Sequence, residues 1–233
     1  YEEKKMEEIE VCFLMDRFGY MKLIDKNAYE RNKEAVHNEN KYVFNCMNTD
    51  KICIFTDTGK MHTIKAVDIP LGRFRDKGTP VDNLSNYDSS QERMLYVAPV
   101  GQLRSDRLLF VTKTSMCKLV EGAEFDVAKR TIASTKLADE DELIFIGSAS
   151  EMEQIVLQSH GGCFLRFLTQ EVSTMKKTAL GVRGMKLADD DYLEHAYLLA
   201  GHQEYTISYH DKEYALNKVR LAKRDTKGIK PRI

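Results

Sequence analysis

A short unit recurs along this chain, and no other feature constrains its fold as much, because a repeating chain builds from copies of one supersecondary element. The unit is two β-type apolar runs flanking a turn. The turns read Asp16-Arg-Phe-Gly19, Thr56-Asp-Thr-Gly59, Thr112-Lys-Thr-Ser115, Ser159-His-Gly-Gly162 and, in degenerate form, Tyr209-His-Asp-Lys212. Their fourth positions fall at 19, 59, 115, 162 and 212, spacings of 40, 56, 47 and 50 residues. Such spacings suit four-stranded propeller blades of about 40 to 50 residues. The flanking runs, such as Ile52-Cys-Ile-Phe55 before a turn and Met61-His-Thr-Ile64 after it, are short and rich in β-branched and aromatic residues, which predicts a β-hairpin in each unit. Glycine stands at the fourth turn position in three units, where a positive φ costs it least; Ser115 and Lys212 must adopt whatever backbone the turn demands.

The expected architecture is therefore all-β: a propeller-like ring of four-stranded antiparallel blades, about five repeats at roughly 8–47, 48–104, 105–152, 153–203 and 204–233, with the last incomplete. The whole of 1–233 reads as a single domain. Its length and 42% hydrophobic content can bury a substantial core. Because the chain begins Tyr1-Glu-Glu-Lys-Lys, without an initiator Met or a signal-peptide core, it reads as a piece of a longer cytosolic protein. Cys12, Cys46, Cys53, Cys117 and Cys163 form no C-x-x-C pair and are expected to be small core residues.

A basic, glycine-containing connector follows the hairpin in several units. It reads Arg73-Phe-Arg-Asp-Lys-Gly-Thr-Pro80, Lys129-Arg-Thr-Ile-Ala-Ser-Thr-Lys136, Lys176-Lys-Thr-Ala-Leu-Gly-Val-Arg-Gly184 and Arg224-Asp-Thr-Lys-Gly-Ile-Lys230. An acidic stretch then precedes the next strand, as in Asp139-Glu-Asp-Glu142 and Asp189-Asp-Asp191. Net charge is only −1, which by itself argues against a nucleic-acid binder. The average conceals a partition: from Tyr214 to Ile233 seven basic residues face the single acid Asp225. Positions recurring once per blade lie at equivalent places around a ring, so connector cations in register would form a curved positive track.

Two of the units carry a specific resemblance. Ile52-Cys-Ile-Phe-Thr-Asp-Thr-Gly-Lys60, Val67-Asp-Ile-Pro70, Arg73 to Pro80 and Val81-Asp-Asn-Leu84 in the second, and Thr178-Ala-Leu-Gly-Val-Arg-Gly-Met-Lys-Leu187 in the fourth, resemble the C-terminal domain of bacterial type IIA topoisomerase A subunits, those of DNA gyrase and topoisomerase IV. That resemblance implies a β-pinwheel whose blades exchange an outer strand, and a basic rim that binds and bends duplex DNA irrespective of sequence. It implies no catalysis by this region and no cofactor in it, since ATP and Mg serve the full enzyme. The partners it implies are double-stranded DNA, the N-terminal part of the same polypeptide and an ATPase B subunit in a heterotetramer, with no membrane, in the cytoplasm at the nucleoid. Where gyrase carries a Q-R-R-G-G-K-G box, this chain has Ala28-Tyr-Glu-Arg-Asn-Lys-Glu-Ala-Val36 without glycine, which favours a topoisomerase IV-like protein over the gyrase alternative. Tyr29 is not the family's cleavage tyrosine, which belongs to an N-terminal region.

The candidate DNA-binding residues are Arg73, Arg75, Lys77, Lys129, Arg130, Lys176, Lys177, Arg183, Arg224, Lys227 and Lys230. No catalytic or metal site is expected. The six histidines pair with no nearby carboxylate or cysteine at ligand spacing, the acidic stretches lack a calcium-loop series and read as solvated loops, and no nucleophile motif occurs. A protein-interaction propeller is the rival reading, but a chain without Trp cannot carry the W-D or kelch patterns.

Overall fold

Five hairpins, each closed by one of the turns above, dominate the structure. The computed structural model describes residues 3–233; Tyr1 and Glu2, the start of the acidic N-terminal stretch, lie outside the described residues. The first unit supplies β1 (Glu10–Met15), β2 (Tyr20–Ile24), two short helices α1 (Lys26–Arg31) and α2 (Lys33–Glu39), and β3 (Tyr42–Met47). The second supplies β4 (Lys51–Thr56), β5 (Lys60–Lys65), β6 (Thr79–Pro80), one helical turn α3 (Val81–Leu84), β7 (Met94–Pro99) and α4 (Val100–Leu103). The third gives β8 (Arg107–Thr112), β9 (Met116–Glu121), β10 (Thr131–Ala133) and β11 (Leu143–Ser148), and the fourth β12 (Gln154–Ser159), β13 (Phe164–Leu168), β14 (Val182–Arg183) and β15 (Leu193–Leu199). The fifth contributes the hairpin β16 (Thr206–Tyr209) and β17 (Lys212–Ala215). No helix among the described residues is long and apolar enough to cross a membrane.

The sheet orders are β3-β1-β2-β6, β7-β4-β5-β10, β11-β8-β9-β14, β15-β12-β13 and β16-β17, all antiparallel. Each four-stranded sheet thus takes one edge strand from the connector of the following unit. In the fourth sheet the connector of the fifth unit does the same through the bridge Phe164↔Ile229. At the opposite edge, β3 packs on β7, β7 on β11 and β11 on β15, so these four strands line the axis about which the blades are arrayed.

The strands of the second, third and fourth hairpins are apolar on both faces because both faces are covered by neighbouring blades, whereas the first hairpin packs its outer face on α1 and α2 and the fifth is largely exposed. Ile52 and Ile54 of β4 pack on Val11, Phe13, Met21 and Leu23 of the first sheet. Alternating with them, Cys53 and Phe55 face Leu108, Phe110 and Val120 of the third. The third and fourth sheets meet likewise through Leu109, Val111 and Leu119 against Ile155, Leu157 and Phe167. The cysteines belong to this packing: Cys12, Cys46, Cys53 and Cys117 are buried, Cys163 is half-buried, and all are free thiols. Burial pushes the thiols of Cys53 and Cys117 up to about 12, so they are inert core groups.

The turns fold as their residues require. Gly19, Gly59 and Gly162 have φ of 83°, 78° and 89°, and Ser115 is driven to 75° at the same position. A left-handed non-glycine residue costs roughly 1–2 kcal/mol. Ser115 is held there by burial and by the Met185 N–H, which donates to its Oγ at 2.7 Å. The fifth turn differs from expectation: the left-handed residues are His210 and Asp211, and Lys212 already pairs with Tyr209 as strand.

Candidate nucleic-acid interface

Every basic connector is an exchanged strand or the lead-in to one. The carbonyl of the left-handed turn residue receives its end: Val81 N–H donates to Gly19 O at 3.0 Å, Ser134 N–H to Gly59 O at 2.8 Å and Gly184 N–H to Ser115 O at 2.7 Å. Glycine makes the close approach possible. A Cβ on Gly78, Gly181 or Gly228 would lie 2.6 Å from the carbonyl oxygen of Met21, Cys117 or Phe164 respectively, so three equivalent glycines let three connectors lie against three hairpins.

Aligned on those glycines, the connectors place Arg73, Lys176 and Lys223 at one position, Phe74, Lys177 and Arg224 at the next, and Lys77, Leu180 and Lys227 immediately before the glycine. The first position is exposed in all three units and the second is turned inward. Phe74 is buried against Ala28 and Val36 of the two helices. Lys177 Nζ donates to Glu124 O at 3.2 Å. Arg224 donates through Nε to Glu171 O at 3.0 Å and through Nη1 to Arg183 O at 2.7 Å.

The eleven candidate residues therefore fall into two groups. Arg73, Arg75, Lys77, Lys129, Lys176, Lys227 and Lys230 are exposed, and their charged ends have no protein acceptor among the described residues. Arg75 and Lys77 lie only against rings, 5.8 Å from the centroid of Phe74 and 5.3 Å from that of Tyr20. Lys177 and Arg224 instead tie their connectors down, and Arg130 donates to Leu84 O at 3.2 Å. Arg183 is exposed but forms an ion pair with Asp225, 2.5 Å from Nε to Oδ1, and hydrogen bonding to Arg183 holds the Asp225 carboxyl below its usual range.

Sequence reasoning missed two features. Lys223 shares the position of Arg73 and Lys176, yet its neighbour Arg224 stood among the candidates; counting back five residues from the connector glycine finds it. The other is a clamp in the second hairpin strand, three residues past the left-handed turn residue. Lys22 Nζ donates to Phe74 O and, at 2.9 Å, to Asp76 O. Lys118 Nζ donates to Lys177 O at 2.9 Å and Ala179 O at 2.6 Å. Lys118 is 2% exposed, and desolvation pulls its pKa down to about 8.

At the same position in the second sheet stands His62, which meets Thr131 Oγ1 at 2.9 Å through Nδ1 and Glu92 Oε2 at 2.8 Å through Nε2, the latter pair almost wholly buried. No carboxylate close in sequence supplies this partner, and His160 likewise meets the distant Glu194 at 2.6 Å. Their partners lie some thirty residues away in sequence, beyond the reach of a spacing rule. Burial raises the pKa of Glu92, but hydrogen bonds from Thr56 and the Asp88 N–H, with His62, overcome it and hold the carboxyl below its usual value.

In the acidic stretches Asp139, Glu140, Asp189 and Asp190 are exposed, as solvated loops would be, but one acid in each stretch is engaged. Asp141 accepts from the Thr114 N–H at 3.1 Å and from its hydroxyl at 2.6 Å, and Asp191 accepts from the Gly161 N–H at 2.8 Å. They lock hairpin tips at the axial side of the blades, while the connector cations occupy the outer edge.

Comparison with known proteins agrees with this geometry. The family described as DNA gyrase C-terminal domain, beta-propeller, matches residues 50–89, 106–150 and 153–200, more than half of the chain. The DNA gyrase A protein of Ureaplasma parvum is 25% identical over 94% of this chain and 28% of its own length, and that of Mycoplasma pneumoniae 27% identical over the same shares. The chain thus spans under a third of the length of these curated relatives. Among solved structures, the C-terminal domain of DNA topoisomerase IV superposes with a TM-score of 0.83 at 22% identity, covering 97% of this chain and 73% of the other. The DNA gyrase A C-terminal domain superposes with a TM-score of 0.62 at 18% identity, covering 95% and 76%. With the repeated hairpins, the strand exchange and the family match in agreement, the chain belongs to the DNA gyrase C-terminal domain family, the β-propeller-like region of type IIA topoisomerase A subunits.

Proposed function

We propose that this domain holds duplex DNA along the outer edge of its blades, independent of sequence, and bends it there. The observation that carries the reading is the common edge position of the connectors, from which Arg73, Arg75, Lys77, Lys129, Lys176, Lys223, Lys227 and Lys230 project without protein acceptors. Arg130 and Arg183 are exposed beside this track with part of their hydrogen-bonding capacity engaged, and Lys177 and Arg224 serve it by fixing the connector backbone. Each neutralised phosphate releases counterions, so six to ten contacts make affinity fall about 10³ to 10⁵-fold between 50 and 200 mM salt. Smoothly bending a 20–30 bp segment costs about 1–6 kcal/mol, which several such contacts offset.

In the parent protein the domain presents DNA to the N-terminal cleavage core, which works with an ATPase B subunit in a heterotetramer, in the cytoplasm at the nucleoid. The domain's part is positioning, with DNA cleavage and the Mg-dependent hydrolysis of ATP residing elsewhere. A topoisomerase IV-like role fits better than a gyrase-like one. Ala28 to Val36, standing where gyrase carries its glycine-rich box, lies in α1 and α2 and buries Ala28 and Val36 against Phe74, so it is committed to packing. Electrophoretic mobility shift of random duplex at several salt concentrations tests the DNA reading. The triple variant Arg73→Ala, Arg75→Ala, Lys77→Ala is expected to bind all sequences more weakly with a shallower salt slope, and an unchanged shift overturns the assignment of this connector. Supercoiling rather than decatenation by the reconstituted heterotetramer overturns the topoisomerase IV preference alone.

A further inference from the structure

The axial side of the blades also gathers three cations from separate segments, remote in topology from the connectors. A cavity of about 500 Å³ opens where the first turn and the starts of β3, β7, β11 and β15 converge, and all four of the larger sheets line it. Into it come Arg17 from the first turn, Lys41 ahead of β3, Arg93 ahead of β7 and His195 from β15. The two carboxylates in the lining are engaged elsewhere. Asp16 Oδ1 accepts the N–H groups of Phe18 at 2.9 Å and Tyr20 at 3.0 Å, and Glu194 is held by His160. Two guanidiniums and an ammonium therefore face one space beside two carboxylates whose oxygens are partly taken up by backbone N–H groups and His160, and the cations outnumber the anions of the lining.

The same cavity holds an aromatic face. Phe18 is 72% exposed at the tip of the first hairpin, where the other tips carry Asp57-Thr58, Lys113-Thr114, His160-Gly161 and His210-Asp211. The Arg17 guanidinium lies 4.8 Å from the Phe18 ring centroid. An apolar ring left in water beside a forked cation is suited to a planar aromatic group that carries an anion. The volume falls within the range of about 300–1,000 Å³ typical of small-molecule sites.

We infer that this axial cavity binds a nucleoside polyphosphate, with its phosphates on Arg17, Lys41 and Arg93 and its base against Phe18. The site is independent of the DNA-binding rim and does not rest on it. Isothermal titration of the domain with ATP and, separately, with inorganic pyrophosphate tests the assignment. ATP is expected to bind more tightly than pyrophosphate, and Phe18→Ala to bring ATP down to the pyrophosphate level. Because hydrogen bonds to charged groups are strong, Arg17→Ala and Arg93→Ala are each expected to weaken both ligands at least about tenfold. The rim variant Arg73→Ala, Arg75→Ala, Lys77→Ala is expected to leave ATP affinity unchanged, with circular dichroism and the unfolding midpoint verifying that every variant folds. No heat with millimolar ATP overturns the inference. So does ATP binding that persists in the Arg17→Ala, Arg93→Ala double variant or disappears in the rim variant.

Discussion

Lys118→Met tests how the outer connectors are held. Lys118 lies in β9 with its ammonium shut away from water, against the carbonyls of Lys177 and Ala179 and 5.6 Å from the centroid of the Phe110 ring. Methionine keeps the length and apolar stem but leaves the two connector carbonyls without this donor. A buried carbonyl left without a donor costs about 1–3 kcal/mol, and relief of the ammonium's desolvation offsets part of the two such losses, so a net loss of at most about 2 kcal/mol at pH 7 is expected. The pH dependence is sharper. The folded-state pKa of about 8 lies below that of an unfolded lysine, near 10.4, so between these values the unfolded chain binds a proton that the folded domain has released. Stability of the wild type relative to Lys118→Met must therefore rise with pH through that window, by about 1.4 kcal/mol per pH unit, or about 2 kcal/mol from pH 8 to pH 9.5. Urea unfolding of both proteins at pH 7, 8 and 9.5 measures the difference with other titrations cancelling. A difference that stays flat or shrinks above pH 8 refutes the reasoning, because the carbonyls would then stabilise the ammonium by more than burial opposes it. The variant is also expected to bind DNA more weakly, since Lys176 follows the loosened connector.

Other perturbations separate structure from binding. Lys223→Ala and Lys176→Ala should each leave the unfolding midpoint within about 0.5 kcal/mol of wild type while lowering the salt slope of DNA binding by about one; Lys177→Ala and Arg224→Ala should do the reverse, destabilising by about 1–3 kcal/mol through orphaned connector contacts. Gly181→Ala places a Cβ 2.6 Å from Cys117 O at a φ of 108°, so thermal unfolding should show a loss of at least 1–2 kcal/mol, as expected of roughly that much left-handed strain plus a backbone shift. Glu92→Gln should destabilise near neutral pH. Because the Glu92 carboxyl is held below its usual value in the folded domain, its contribution is present above the unfolded pKa and vanishes as pH falls through the folded one, so the two proteins' urea midpoints should converge in acid. Phe55→Ala, which removes a ring packed 4.9 Å centroid to centroid from Phe125, should cost about 3–5 kcal/mol.

The hairpins were readable because each is local. An apolar run, a glycine at the left-handed position and a second apolar run specify the element within a dozen residues, and strand exchange was expected only through the family resemblance. The orientation of neighbouring connector cations was not readable. Lys176 and Lys177 are chemically identical and adjacent, and what turns one outward and the other inward is Glu124, over fifty residues earlier. The same holds for Arg224, whose partner Glu171 lies on the preceding unit, and for the His62–Glu92 pair. The turn at His210-Asp211 escaped for a different reason: two left-handed residues in a two-residue loop satisfy the hairpin as well as the longer loop with glycine, and the degenerate sequence conceals which is used.

Near-zero net charge, the strongest objection to a DNA-binding reading, loses its force once the charges of the connectors are placed. Asp141 and Asp191 spend their oxygens on hairpin tips beside the axis, and Glu92 is buried on His62. Apart from Asp225, which neutralises Arg183, and Asp76, which accepts the Arg73 N–H at 2.8 Å, the connector segments present cations. What a phosphate backbone meets is the local potential within a Debye length of about 8–10 Å, not the sum over a chain. Strand exchange makes that local concentration possible, because it carries each basic segment to the outer edge of the preceding blade. An acid placed at the Lys176 or Lys223 position should therefore weaken DNA binding by more than the same acid at an axial turn, although both change the net charge of −1 equally.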